Sequence, residues 1–252
     1  MDTIKKEITV KTSSTGTRRW FLNGCLHRED GPAVESIDGT RQWYKNWKLH
    51  REDGPAVIWA DGAEMWYRKG LLHRNGGPAV ESADSTKKWY INNRLHREDG
   101  PAVEWANGDR EWYRHGLLHR TDGPAVERAD GAREWRVDGL LHREDGPAVE
   151  RADGTREWWV KGERHRADGP SIEWGCGTKW WVKDIGLHRT AGPAVEDSDG
   201  SQEWWVDGEL HREDGPAVER SDGTKEWWVR GERIYEHDVE EYFQNMRSHE
   251  EP

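Results

Sequence analysis

Apolar residues come in short islands along this chain, two or three at a time, with charged or small residues between them. Over 146–166 the islands are Pro147-Ala148-Val149 and Trp158-Trp159-Val160. Pro can open a strand because it gives up one ladder donor at the strand's end. The Trp-Trp-Val island is dense in residues that suit a half-buried strand. Between the two lies Ala152-Asp153-Gly154-Thr155, and Asp-Gly flanked by strand-like runs predicts a tight hairpin, since Gly accepts positive φ. Lys161-Gly162-Glu163 turns the chain a second time. Arg164-His165-Arg166-Ala167-Asp168-Gly169 then leads into the next hairpin.

The pattern returns at one constant interval, the step from His27 to His50. His-Arg pairs begin at His27, His50, His73, His96, His119, His142, His165, His188 and His211, and a Gly-Pro follows each. Trp20, Trp43, Trp66, Trp89, Trp112, Trp135, Trp158, Trp181, Trp204 and Trp227 keep the same period. Self-similarity at a fixed period outranks every local motif. It predicts an all-β fold: an elongated array of about ten antiparallel β-hairpin repeats, an open sheet or solenoid, ending in a short C-terminal capping helix. At two strands per repeat and ~4.8 Å per strand, the array would extend roughly 90–100 Å. Closure into a ring is the alternative, against which the atypical ends argue.

The expected organisation has three parts. Residues 1–22 form a degenerate capping hairpin, with the alternating run Glu7-Ile8-Thr9-Val10-Lys11 in place of the Gly-Pro element. Residues 23–231 hold the repeats, and 232–252 form an acidic helical cap. There Val239, Phe243 and Met246 share one helical face, expected to pack over the last hairpin and protect its edge. In the seventh repeat the pair Trp180-Trp181 is read as displaced by one place, which predicts a bulge or kink.

Hydrophobic content is only 33% against 35% charged, a balance that leans towards disorder; 18 Trp and 28 Gly contradict it. The implied core is thin, and each repeat buries its apolar side on its neighbours. The net charge of −11 argues against nucleic acid, which calls for a basic face. No run is long and apolar enough for a transmembrane helix, and no secretory signal is visible. Two distant cysteines, Cys25 and Cys176, fit a reducing cytoplasm.

Candidate chemistry is sparse. One His per repeat cannot converge on a metal ion, and no cofactor motif is present. Enzyme catalysis needs a unique constellation; the unmatched residues Cys25, Cys176, His115, Trp47 and Arg136 bring no nucleophile elbow, phosphate loop or acid pair. The chain therefore reads as non-enzymatic, with Cys176 as the centre of the enzyme alternative. Connector Arg and Asp residues two apart suggest a locked loop, with His bonding backbone carbonyls of neighbouring connectors. Connectors lacking the Asp leave Arg74 and Arg189 expected to be unengaged; with Arg136 they are the candidate anion-binding residues.

The first Trp of each repeat reads as the spine of the fold. The residue after it points to the other face and forms a second row: Tyr44, Tyr67, Tyr90, Tyr113, Trp159, Trp205 and Trp228, with Phe21 at the start and Arg136 where Tyr gives way to Trp. Such a row is good binding surface, because each ring combines large area with a polar handle. Trp59, Trp105 and Trp174 add further rings on the first strand.

Period and turn pattern resemble MORN repeats: one hairpin per interval, Asp-Gly at its turn and Gly at the second turn, as in Ala152-Asp153-Gly154-Thr155 and Lys161-Gly162. The Tyr-x-Gly signature of the second strand is replaced by Trp-Trp-Val or Trp-Tyr-x. The His-Arg-Glu-Asp-Gly-Pro-Ala-Val block is similar to a MORN-like variant of phage, giant-virus and bacterial proteins. The resemblance implies a β-sheet scaffold that binds proteins or phospholipid head groups, in a viral or phage setting acting on a host factor in the host cytoplasm. A protein partner along the aromatic row is the first expectation. Glycan stacking, a sponge for small anions such as nucleotides, and pairing of two copies through the row are the alternatives.

Overall fold

The structure, a computed structural model, describes residues 7–183 and 186–248. Its contacts fall into two compact halves, Met1–Ala129 and Asp130–Pro252, and both are built by the same step.

In the first half Ile8–Thr12 pairs antiparallel with Arg18–Leu22, Val10 opposite Trp20. The other side of Arg18–Leu22 receives Val34–Glu35. Val34–Glu35 pairs with Arg41–Gln42, which pairs with Val57–Ile58, and so on to Arg110–Glu111 against Val126–Glu127. The second half runs the same ladder from Arg133–Glu134 and Val149–Glu150 to Val218–Glu219 and Lys225–Val229. Pairings alternate between the two strands of one hairpin and strands of successive repeats. The sheet is open: among the described residues Ile8–Thr12 pairs on one side only, and Glu232–Ile234 pairs only with Lys225–Val229.

Between the five-residue strands at the two ends, the ladder strands are two residues long because the chain leaves the ladder at each Trp. Trp43 N–H donates to Ala56 O (2.8 Å) in the next repeat, and Trp43 O accepts from His50 N–H (3.0 Å). Past that hinge a second hairpin forms, Tyr44–Lys45 with Lys48–Leu49, and likewise Tyr67–Arg68 with Leu71–Leu72. Its tight turn takes positive φ at two successive residues, as at Lys69 (54°) and Gly70 (84°), the pattern that matches strand twist. Trp47 occupies the second of these places at φ 66° with its ring exposed.

The expected Trp spine is corrected by burial. The innermost residues are Ala33, Ala56, Ala79, Ala102, Ala125, Ala148, Ala194 and Ala217, each fully enclosed, and the Val beside each of them, such as Val103 and Val126 at 2% exposure. The Trp rings are half-buried. Successive strand residues point to opposite faces, so one Ala and one Val per repeat line the two faces of a slender core. An indole is too large to be enclosed by neighbours only two strands away.

The seventh repeat is not displaced. Ile172 pairs with Trp180 and Glu173 with Lys179, and Trp181 N–H reaches Ala194 O at 2.8 Å, as the periodic Trp does elsewhere. Trp180 stands where Glu157 and Glu203 stand in the adjacent repeats and Val182 takes the second-row place, so composition changes while register holds. At the C-terminus a 3-10 turn, Glu236–Asp238, leads into an α-helix over Val239–Ser248. The expected packing of Phe243 and Met246, and the helix's extension to 252, lie outside the described residues.

Candidate functional site

The connector is a sandwich. In all nine connectors the Arg guanidinium lies over the ring of the preceding periodic Trp, at 3.8–4.3 Å from Cζ to centroid, from Arg28 over Trp20 to Arg212 over Trp204. The Gly of Gly-Pro covers the other side: a Cβ on Gly100 would sit 2.9 Å from Arg97 Cζ. Arg97 also donates through Nε to Asp99 (3.0 Å), and through Nη1 to Pro101 O (3.1 Å) and Glu104 (2.9 Å). The guanidinium holds the Asp99 carboxyl below its ordinary value, and the same cause acts on Asp30, Asp53, Asp122, Asp145 and Asp214.

Arg74 and Arg189 are therefore not unengaged, as expected from their missing Asp. Arg74 lies 3.8 Å over Trp66 and donates to Pro78 O (3.0 Å) and Glu81 (2.6 Å). Arg189 lies 3.8 Å over Trp181 and donates to Pro193 O (2.9 Å) and Glu196 (3.0 Å). The strand Glu, seven residues after each Arg, binds it whether or not the loop Asp is present, and so holds Arg74 and Arg189 without that Asp. Arg136 is held by Glu134 (2.8 Å) and Gly139 O (2.8 Å).

The connector His accepts rather than donates towards its neighbour, and its partner is a backbone N–H instead of the expected carbonyl. Nδ1 of His50, His96, His142, His188 and His211 accepts from Lys69, His115, Lys161, Asp207 and Arg230, 3.1–3.2 Å away at the second turn of the next repeat. The ladder turns are joined in a similar way. Thr155, 1% exposed, donates its N–H to Asp153 Oδ1 (2.8 Å), and its Oγ1 accepts from the Gly175 N–H (3.1 Å) of the next turn. Thr86 and Thr178 do the same for Ala106 and Ser198. Sequence reasoning passed over this Thr; its recurrence after Asp-Gly at 40, 155 and 224 was the available signal.

Tyr44, Tyr67, Tyr90, Tyr113, Trp159, Trp205 and Trp228 are all half-buried at equivalent places in the second hairpins. Their polar handles turn inward where a Glu stands two residues earlier. Tyr113 O–H donates to Glu111 (3.1 Å), and the indole N–H of Trp159, Trp205 and Trp228 to Glu157 (3.1 Å), Glu203 (2.8 Å) and Glu226 (3.1 Å). Arg128, Arg151 and Arg220 hold Glu111, Glu157 and Glu226 from the other side. Burial, then the charge of Glu111, pushes Tyr113 up to about 12, and burial raises Tyr67 and Tyr90.

Trp59, Trp105 and Trp174 stand at the first residue of the ladder turn instead of within the strand, 38–42% exposed. Cys176 fills the Asp place of its turn, exposed, and the Thr178 N–H lowers its thiol from the ordinary value. Open clefts of roughly 450–800 Å³ lie between connectors, for example the one floored by Trp112 and rimmed by Asp99 and Arg120. Among the described residues no three His, Cys, Asp or Glu gather closely enough to hold a metal ion, and no helix is long and apolar enough to cross a membrane. No protein-family model matches the chain, and no curated protein matches its sequence.

Proposed function

We propose that the chain is a non-enzymatic repeat scaffold that binds a protein partner along its second-row aromatics, as the resemblance to MORN-like repeats also suggests. The observation that carries this reading is the Glu-anchored row. Tyr113, Trp159, Trp205 and Trp228 are half-exposed rings already held in one rotamer by an intrachain hydrogen bond. A ring fixed before binding loses little conformational entropy when a partner covers it. Large, rigid, amphipathic side chains are the residues that dominate protein interfaces.

The test compares capture of proteins from candidate host extracts by the native chain and by a Tyr113→Ser, Trp159→Ser, Trp205→Ser, Trp228→Ser variant whose circular dichroism is unchanged. The reading expects one specific partner retained by the native chain and lost by the variant. Equal retention by both sinks it.

Exposure of Trp59, Trp105 and Trp174 supports a second reading, glycan stacking on turn-borne indoles. Retention on a glycan array that disappears when these three become Ala would favour it. The anion-sponge reading is weakened by the engagement of Arg74, Arg136 and Arg189.

A further inference from the structure

The connector imidazoles are the titratable groups that no binding role absorbs. His27, His50, His96, His142, His188 and His211 each sit between their own connector and the second hairpin of the next repeat. An Nδ1 that accepts a backbone N–H must be unprotonated, so the ring proton resides on Nε2. Nε2 of His50, His96 and His211 points towards Glu52 (3.4 Å), Glu98 (3.8 Å) and Glu213 (3.5 Å) of its own connector, as a donor should. Adding a proton at Nδ1 sets two donors against each other and breaks the joint.

We infer that His50, His96, His142 and His211 form an acid-sensitive latch: protonation at Nδ1 releases the second hairpin of the following repeat, the hairpin that carries the aromatic row.

The charged surroundings differ from joint to joint and divide them into two groups. His96 faces Glu98 on its connector and, on the next hairpin, Arg114 and the ring of His115, stacked at 4.5 Å. Burial first, then His115, holds His96 below the ordinary imidazole value. His50 faces Glu52 and the Lys69 turn, His211 faces Glu213 and the Arg230 turn, and His142 faces the Lys161 turn, with Glu144 two residues on in its own connector. None of these turns presents an acceptor to a protonated Nδ1 in the hydrogen bonds made there. His188 differs: the Asp207 carboxylate lies 2.9 Å from its Nδ1 and would receive the new N–H. His27 likewise has Asn46 Oδ1 at 2.9 Å. In both, the new Nδ1–H finds a side-chain acceptor across the joint, while the backbone N–H gives up its bond to Nδ1.

The sign follows from linkage. A His96 held low binds fewer protons folded than unfolded, so its contribution is present above the ordinary value of about 6.5 and is lost as pH falls below it. Asp99, Asp145 and Asp214, bound to the connector Arg, titrate below the ordinary carboxylate value. A change between pH 7.5 and 5.5 therefore belongs to imidazoles.

The experiment is amide hydrogen exchange on the intact chain at pH 7.5 and 5.5, corrected for intrinsic rates, together with nitrogen-15 spectra of the imidazoles. Protection at Lys69, His115, Lys161 and Arg230 is expected to fall roughly 3- to 10-fold on acidification, the worth of one hydrogen bond. His50→Asn, His96→Asn, His142→Asn and His211→Asn place a non-titrating acceptor where Nδ1 stood and should flatten the response. Equal protection at both pH values, or Nδ1–H tautomers of His50, His96, His142 and His211 at pH 7.5, would each overturn the inference, and the native chain alone decides if the variant fails to fold.

Discussion

Replacing Gly100 with Ala tests the connector sandwich at a backbone that does not need glycine for its φ. The new methyl would lie 2.9 Å from Arg97 Cζ and 3.1 Å from its Nε, against about 3.5–4 Å for ordinary contact. The guanidinium cannot retreat, because the Trp89 ring lies 4.1 Å away on its other face. Arg97 must therefore leave. It gives up a partly exposed ring contact of about 1 kcal/mol, a charged-donor bond to Pro101 O of about 1 kcal/mol after allowing for its 22% exposure, and a few tenths from the Glu104 pair. Gly→Ala also stiffens the unfolded chain, which returns roughly 0.4–1 kcal/mol. The net expected cost is about 1–2 kcal/mol in urea-unfolding free energy. The same substitution in an Arg97→Ala background should then cost nothing further. A stabilised G100A, or an undiminished cost without Arg97, would refute the sandwich.

Val126→Ala should destabilise by about 2–3 kcal/mol in the same unfolding assay, since two methyl groups leave a fully enclosed site; a cost below half of that would return the core to the Trp rows. Thr155→Val keeps shape but strands the Gly175 N–H, at about 1–3 kcal/mol, and exchange at Gly175 should report it first. Tyr113 should ionise near pH 12 in an alkaline absorbance titration. Because its proton is held more tightly folded than unfolded, its contribution to stability is full below about pH 10 and is lost above that value. Deleting one whole repeat, 80–102, should leave a folded chain by circular dichroism, whereas deleting only half of one, 80–91, should not.

Much of this was legible in the sequence. Asp-Gly and Lys-Gly turns, the Pro-Ala-Val strand and the Trp period specify local geometry, and a strict repeat multiplies that geometry without ambiguity. What stayed hidden depends on neighbours. Ala148 outranks Trp158 in burial because enclosure is decided by how closely adjacent strands approach, which favours the smallest side chain. Arg74 looked unengaged because its partner Glu81 lies on the following strand instead of in the connector. Trp180 was read as a displaced Trp181 because adjacent identical residues conceal which one keeps the period; the ladder hydrogen bond from Trp181 to Ala194 decides it. The aromatic row was found by periodicity, but its anchoring to Glu111, Glu157, Glu203 and Glu226 needs the knowledge that residues two apart share a face at that bend.

The joints between repeats also set how the chain can fold. The His50–Lys69, Thr155–Gly175 and Asp199–Ser221 bonds connect residues 19, 20 and 22 apart. Contacts this local close small loops, whose entropic cost is modest, and low contact order goes with fast folding. A nucleus can arise at any pair of repeats and grow in either direction. During synthesis each repeat can dock on its predecessor as soon as about two dozen residues have emerged, without waiting for the far end of the chain.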